Sequence, residues 1–76
     1  NLNDERLDAE RLEQKLREWI EEMPSRRREA FMLSRFEGLS HEEIAALMNL
    51  APKTVNNHIV LALQHIRSKL DRYKTE

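Results

Sequence analysis

Cysteine is absent from this chain of 76 residues, so neither a disulfide framework nor a zinc site with thiolate ligands can form. Glycine occurs once and proline twice, which leaves few interruptions in a sequence rich in helix-forming residues. No apolar run approaches the roughly 18 residues that a membrane-spanning helix needs. We therefore expect an all-α fold, a cytoplasmic location and no membrane partner.

The residue patterns of common catalytic sites are missing as well. The sequence has no glycine-rich phosphate loop and no nucleophile with a base at suitable spacing. His58 and His65 are seven positions apart, too far along a helix to share a metal ion, and no carboxylate completes a ligand set. We expect no enzyme activity, no metal, no cofactor and no small-molecule substrate, since a chain this short is better suited to binding.

Charge is divided unevenly along the chain, although the net charge is only −1. Residues 1–23 hold four basic and eight acidic side chains, whereas residues 24–76 hold nine basic and six acidic ones. The C-terminal two-thirds is therefore mildly basic, and an acidic segment precedes it. This division suggests two surfaces with different partners.

The first two helices are predicted from apolar spacing and from the residues that interrupt it. Apolar residues recur at helical intervals through residues 9–23, and Pro24 ends this acidic, amphipathic helix. A second helix should run to about Glu37, with an apolar band wide enough to pack on two sides. Gly38 then supplies the left-handed conformation that often follows a helix.

A short and a long helix are predicted to follow. Ser40 and Glu43 have the spacing of a capping box at the start of the short one, and Asn49 can end it in a left-handed conformation. Pro52 suits the first position of the long helix. Such a pair, joined by a three- or four-residue turn, is typical of a helix-turn-helix.

We expect one four-helix domain over residues 1–76. Its parts are an acidic lead-in helix (1–23), a helix-turn-helix core (24–70) of the winged-helix-like type without a wing, and a frayed tail (71–76).

The last helix combines a core stripe with a polar N-terminal end. On a helical wheel the stripe collects apolar residues on one side: Val55, Ile59, Ala62, Leu63, Ile66 and Leu70. Short polar side chains point away from it or lie on its flanks: Lys53, Thr54, Asn56, Asn57 and His58. Asparagine is a poor choice for an exposed helix interior, so two in succession favour a function over mere solvation.

DNA recognition would account for these residue types. A helix that enters the major groove reads bases with its first turns, where asparagine can pair with adenine and lysine with guanine. Thr54 and the first backbone amides can meet phosphates. Arg26, Arg27 and Arg28 form a second basic cluster, which either holds the phosphate backbone or is simply solvated.

Several apolar residues fall outside the predicted core stripes. Met32, Val60 and Leu61 are among them, and single exposed apolar residues are common on protein surfaces. If they form a patch with Phe36 or Trp19, a protein partner is the natural explanation.

The segment "MPSRRREAFMLSRFEGLSHEEIAALMNLAPKTVNNHIVLALQHIRSKL", residues 23–70, resembles region 4 of bacterial extracytoplasmic-function sigma factors. The family pattern is a Leu-Pro, a basic stretch, an apolar helix, "FEGLSxEEIA" and a recognition helix with "TV". "SRFEGLSHEEIA" is the specific part of the match, because the helix-turn-helix alone would be generic.

The resemblance implies a domain that binds the −35 promoter element and docks on the flap of the RNA polymerase β subunit, and a chain that is a C-terminal fragment. It implies base and backbone contacts by Pro52, Lys53, Thr54, Asn56, Asn57 and His58. Phosphate contacts would come from Ser40, His41, Arg26, Arg27 and Arg28. An apolar surface would receive the flap or an anti-sigma factor, and the candidates are Trp19, Met32, Phe36 and Leu61.

Two features depart from the family pattern. Positions 56 and 58 are often Lys or Arg in the family, and positions 60 and 61 are commonly polar or basic, whereas this chain has Val60 and Leu61. Less positive charge predicts weak DNA binding by the isolated domain. An alternative rests on "PKTVNNHI", which resembles the helix-turn-helix of quorum-sensing-type response regulators that bind operators as dimers.

Overall fold

Four α-helices make up the protein, whose computed structural model describes the backbone of residues 2–75 and the side chains of residues 8–75. They are α1 (Leu2–Glu21), α2 (Ser25–Arg35), α3 (His41–Met48) and α4 (Pro52–Thr75). The predicted all-α, four-helix architecture is confirmed, and no strand occurs within residues 2–75. No helix in the described part of the chain is both long enough and apolar enough to span a membrane.

Helix α1 is amphipathic and buries its C-terminal end. Trp19 and Ile20 are buried there, as is Met23 in the turn that follows. The opposite side carries charged pairs, including Arg17, whose Nη2 donates to Glu13 Oε1 at 2.8 Å. The acidic lead-in segment therefore packs through one face only, and its other faces are solvated.

Helix α2 is shorter than the sequence predicted, because it ends at Arg35 rather than near Glu37. Gly38 adopts a φ of 68°, as expected for the residue that reverses the chain after the helix. The amide of Leu39 then donates to the carbonyl of Leu33 at 3.1 Å. This closed turn directs the chain into α3.

Helix α3 begins at the predicted capping box. The amide of Glu43 donates to Ser40 Oγ at 3.1 Å, and the amide of Ser40 donates to Glu43 Oε1 at 2.9 Å. The bond from the Ser40 amide, helped by the Ser40 side chain, lowers the pKa of the Glu43 carboxyl below its usual value. The two bonds satisfy amides that would otherwise lack partners at the start of a helix.

Helix α4 packs against each of the other three helices and supplies the centre of the core. Buried Val55 and Ile59 form one cluster with Ala30 of α2 and with buried residues of α3, which are Ile44, Ala45 and Met48. Ala62 joins α1 and Phe31 of α2 in a second cluster, against which Ile66 packs. The prediction that Leu63 belongs to the core stripe is wrong, because 45% of its surface is exposed.

The C-terminal end of α4 packs against α1. The tail predicted to fray from residue 71 is helical through Thr75 in the structure, and residue 76 lies outside the described residues. Tyr73 packs its ring edge-to-face on Trp19, with ring centroids 6.1 Å apart. Nearby, His65 Nε2 lies 3.1 Å from both the Trp19 carbonyl and Glu22 Oε1.

Candidate DNA interface

Three features fix the turn between α3 and α4. Asn49 adopts the left-handed conformation, with φ of 57°, and the next amide, that of Leu50, donates to the Ala45 carbonyl at 2.9 Å. Arg26 reaches across from α2, and its Nη2 donates to the Met48 carbonyl at 2.8 Å. Pro52 begins α4, as predicted. Together they set the direction in which the second helix of the pair leaves the turn.

The N-terminal end of α4 presents a polar surface on a buried anchor. Val55 is completely buried and Ile59 nearly so, which fixes the rotation of the helix about its axis. The structure places the sequence-predicted residues of this end together on its surface: Pro52, Lys53, Thr54, Asn56 and Asn57 are exposed, and His58 is half-buried.

This helix end also has the polarity that suits an anion. The first turn of α4 contains no acidic residue, and Ala51, which precedes it, has no side chain that could cap the first amides. The amides of Lys53 and Thr54 therefore remain at the positive end of the helix dipole. Phosphate oxygens are natural acceptors for such groups.

The start of α3 is already occupied by its own cap. Ser40 Oγ accepts from the Glu43 amide, so the hydroxyl proton of Ser40 is the group left to meet a phosphate. His41 is half-buried at the first position of the helix. Glu42 and Glu43 bring negative charge to the same turn, so α3 offers a phosphate less attraction than α4 does.

The three arginines of α2 turn out to have different surroundings. Arg26 holds the α3–α4 turn through the Met48 carbonyl. Arg28 Nη1 lies 3.2 Å from the Glu21 carbonyl and 3.3 Å from its carboxylate, at the junction with α1. Arg27 is half-buried, and its Nε finds no hydrogen-bond partner among the described residues. Nothing in the sequence distinguishes the three arginines. In the structure, Arg26 and Arg28 hold neighbouring segments together, and Arg27 has an Nε without a hydrogen-bond partner among the described residues.

The predicted protein-binding residues differ in exposure. The prediction that Trp19 belongs to an exposed surface is wrong, since the residue is only 7% exposed. Phe36 is 62% exposed and Met32 is 40% exposed, one helical turn apart at the end of α2. Phe36 also packs edge-to-face on buried Phe31, at 6.4 Å between centroids. Leu61 is exposed on α4, away from this pair along the chain.

Sequence reasoning missed two features of this region. Leu47 of α3 is one of the most exposed large apolar side chains described, and no pattern in the sequence indicated this. The bracing role of Arg26 was also missed, because it depends on a contact with the carbonyl of a residue 22 positions away. Charge and position along the chain carry no signal for such a contact.

A long helix that follows a short one across a tight turn, with a polar and acid-free leading end, defines a helix-turn-helix DNA-binding domain. The family model "Sigma-70, region 4" matches residues 13–66, well over half of the chain. The chain therefore belongs to the sigma-70 region 4 family. A comparison with curated proteins found no significant match.

Membership in this family defines the function at the level of the domain. The chain binds the −35 element of promoters in transcription initiation, and RNA polymerase is its protein partner. The alternative of a response-regulator effector domain is not favoured. The family is one of DNA-binding domains and not of enzymes.

Proposed function

We propose that the N-terminal end of α4 reads the −35 bases through Lys53, Asn56 and Asn57. The observation that carries this proposal is the exposed polar end of a helix whose rotation is fixed by buried Val55 and Ile59. Asparagine pairs with adenine N6 and N7 through two hydrogen bonds, and lysine donates to guanine O6 and N7. Two asparagines therefore favour an adenine-containing element.

The phosphate backbone is held from both sides of this helix end. Pro52, Thr54 and the first α4 amides contact one strand, and His58 contacts DNA from the flank of the helix. Ser40 and His41 approach a phosphate from the start of α3. Arg27 is the arginine of α2 best placed to add an ionic contact, because the other two are engaged with backbone carbonyls. Arg26 and Arg28 contribute only through their remaining N–H groups.

Few of these groups are charged, so the isolated domain should bind DNA weakly. Non-specific affinity grows with the number of phosphates that Lys and Arg neutralise. Lys53 is the one lysine at the reading end of α4, and the start of α3 carries two glutamates. RNA polymerase therefore supplies much of the affinity, and the domain supplies the choice of sequence.

Helix α2 offers the apolar surface that would dock on the flap of the polymerase β subunit. Met32 and Phe36 are both exposed and lie one helical turn apart, so together they can form an apolar patch. An anti-sigma factor would cover the same surface in an inhibited state. On this reading the chain is a domain of an extracytoplasmic-function sigma factor that acts in the cytoplasm, without catalytic activity of its own.

The base-reading role is tested by Asn57→Ala. Loss of a bidentate contact should weaken binding to a preferred duplex by about 1–3 kcal/mol and relax the choice of base at one position. Preferred duplexes would be selected from a randomised pool, and affinities would be measured for the selected and a scrambled duplex. Gln14→Ala removes another exposed side-chain amide, on α1, and serves as the control. If Asn57→Ala kept the wild-type ratio of the two affinities, the assignment would be wrong.

The docking role is tested with the isolated flap domain of the β subunit. Phe36→Ala should weaken flap binding at least tenfold, since it removes a large exposed aromatic group from a protein interface. Leu63→Ala truncates a similarly exposed apolar residue on α4 and should leave flap binding unchanged. Equal loss from both variants, or from neither, would argue against an interface on α2.

A further inference from the structure

Leu61 is an exposed apolar residue on the polar side of α4. Its exposed fraction is 42%, although the core stripe of the same helix is buried nearby. On the helix surface its neighbours at three and four positions are all polar: Asn57, His58, Gln64 and His65. Leu61 is therefore not part of an apolar stripe that runs along the helix.

The other exposed apolar residues of α4 have different surroundings. Leu63 has Ile59, Val60 and Ile66 at these spacings, so it belongs to an apolar side of the helix. On the wheel Leu63 lies about 160° from Leu61, almost on the opposite side. A protein that covered Val60 and Leu63 would leave Leu61 exposed.

Leu61 instead lies on the side of α4 that carries Asn57, one of the residues assigned to base reading. It lies about 40° from Asn57 and about 20° from Thr54, which is assigned to a phosphate, and about 140° from Asn56 around the helix. Along the axis it lies about 6 Å beyond Asn57, at a rise of 1.5 Å per residue. Successive base pairs are about 3.4 Å apart, so this step corresponds to one or two base pairs.

The major groove offers an apolar side chain one specific partner. Thymine presents its 5-methyl group there, whereas the other base edges present mainly hydrogen-bond donors and acceptors. Leucine cannot hydrogen-bond to a phosphate or to a base edge, so the methyl group is the feature it can distinguish. We propose that Leu61 contacts the methyl group of a thymine one or two base pairs from the base read by Asn57. This inference rests on the proposed entry of α4 into the major groove.

Replacement of thymine by uracil tests the contact, because uracil lacks only the methyl group. The probe is the preferred duplex selected with the wild-type chain, with deoxyuridine placed at each thymine in turn. Wild-type affinity should fall about fourfold at one position, the effect of returning one methyl group to water. Leu61→Ala should lower affinity for the thymine duplex by a similar factor and should bind the thymine and uracil duplexes equally. Leu63→Ala should retain the wild-type sensitivity to uracil.

Other outcomes would distinguish failure of the Leu61 contact from failure of base reading by α4. The role of Leu61 alone would be overturned if the chain preferred its selected duplex but uracil had no effect at any position. A selected site that contains no thymine would have the same consequence. Persistence of the uracil effect in Leu61→Ala does the same. If Leu61→Ala weakens binding to polymerase core while the uracil effect persists, Leu61 belongs to a protein interface. Failure to distinguish selected from scrambled duplexes would instead contradict the proposed base reading.

Discussion

Arg26→Ala should destabilise the domain although it removes a residue of a basic surface cluster. In the structure, Arg26 Nη2 donates to the Met48 carbonyl at 2.8 Å, between α2 and the last turn of α3. Hydrogen bonds from charged donors contribute about 1.5–3 kcal/mol. Water can reach this partly buried carbonyl after the change, so we expect a loss of about 1.5 kcal/mol, at the lower end of that range.

A loss of this size is readily measured in a domain of 76 residues. It corresponds to a fall in the melting temperature of roughly 6–12 °C. Trp19 is the only tryptophan and is buried, so its fluorescence reports unfolding in urea. Arg17→Ala is the control, because its ion pair with Glu13 is exposed and should contribute less than about 0.5 kcal/mol.

DNA binding by the same variant distinguishes a brace from a phosphate contact. If Arg26 only holds the turn, Arg26→Ala lowers affinity for the selected duplex without changing the dependence of affinity on salt. If its remaining N–H groups also meet a phosphate, the slope of log affinity against log salt falls by about 0.9. A variant as stable as the wild type would show that the Arg26–Met48 hydrogen bond does not stabilise the domain.

Three further predictions concern Arg27, Glu43 and Tyr73. Arg27→Ala should reduce the salt slope by about 0.9 while leaving the base preference unchanged, and titrations of one duplex at several salt concentrations would show this. Because the pKa of Glu43 is lowered in the folded state, its carboxylate stabilises the domain above its usual pKa, and this contribution is lost as the pH falls through the folded value. Urea unfolding from about pH 7 to about pH 3 should therefore show the wild type losing its advantage over Glu43→Gln; a constant difference would contradict the capping box. Tyr73→Ala should cost about 0.5–1.5 kcal/mol beyond lost burial and should change Trp19 fluorescence, whereas Tyr73→Phe should not.

The parts of the fold that depend on local chemistry were predictable from the sequence. Ser40 and Glu43 predict the start of a helix because the side chain of each can accept a hydrogen bond from the backbone amide of the other. The structure has both hydrogen bonds. Asn49 and Gly38 were expected to take positive φ, and both do. In each case the cause lies within three or four residues of the position concerned.

The predictions that were wrong concern residues whose burial depends on packing between segments distant in the sequence. Trp19 was assigned to a partner surface as a member of a possible apolar patch, but it is buried and the Tyr73 ring of α4 packs on it. Leu63 fell on the predicted core stripe, yet α1 and α2 pack on a narrower band around Ala62 and Ile66. A wheel gives the direction of a side chain but not the position of the helix that would cover it.

The candidate site was predictable to a similar extent. The polar N-terminal end of α4 followed from residue types on one short helix segment, and the structure leaves these side chains exposed or, for His58, half-buried. The surroundings of Arg26, Arg27 and Arg28 were not predictable, because three residues of the same charge have different hydrogen-bond partners. Only the fold reveals that one of three adjacent arginines braces the turn and another the α1 junction.

Entry of residues 52–58 into the DNA can be tested by following backbone amide resonances. The chain would be isotope-labelled and titrated with its selected −35 duplex in an NMR experiment. We expect the largest shifts on the first two turns of α4, with smaller ones at the start of α3 and few in α1. Shifts concentrated on α1 or on the C-terminal half of α4, with the amides of residues 53–58 unchanged, would contradict it.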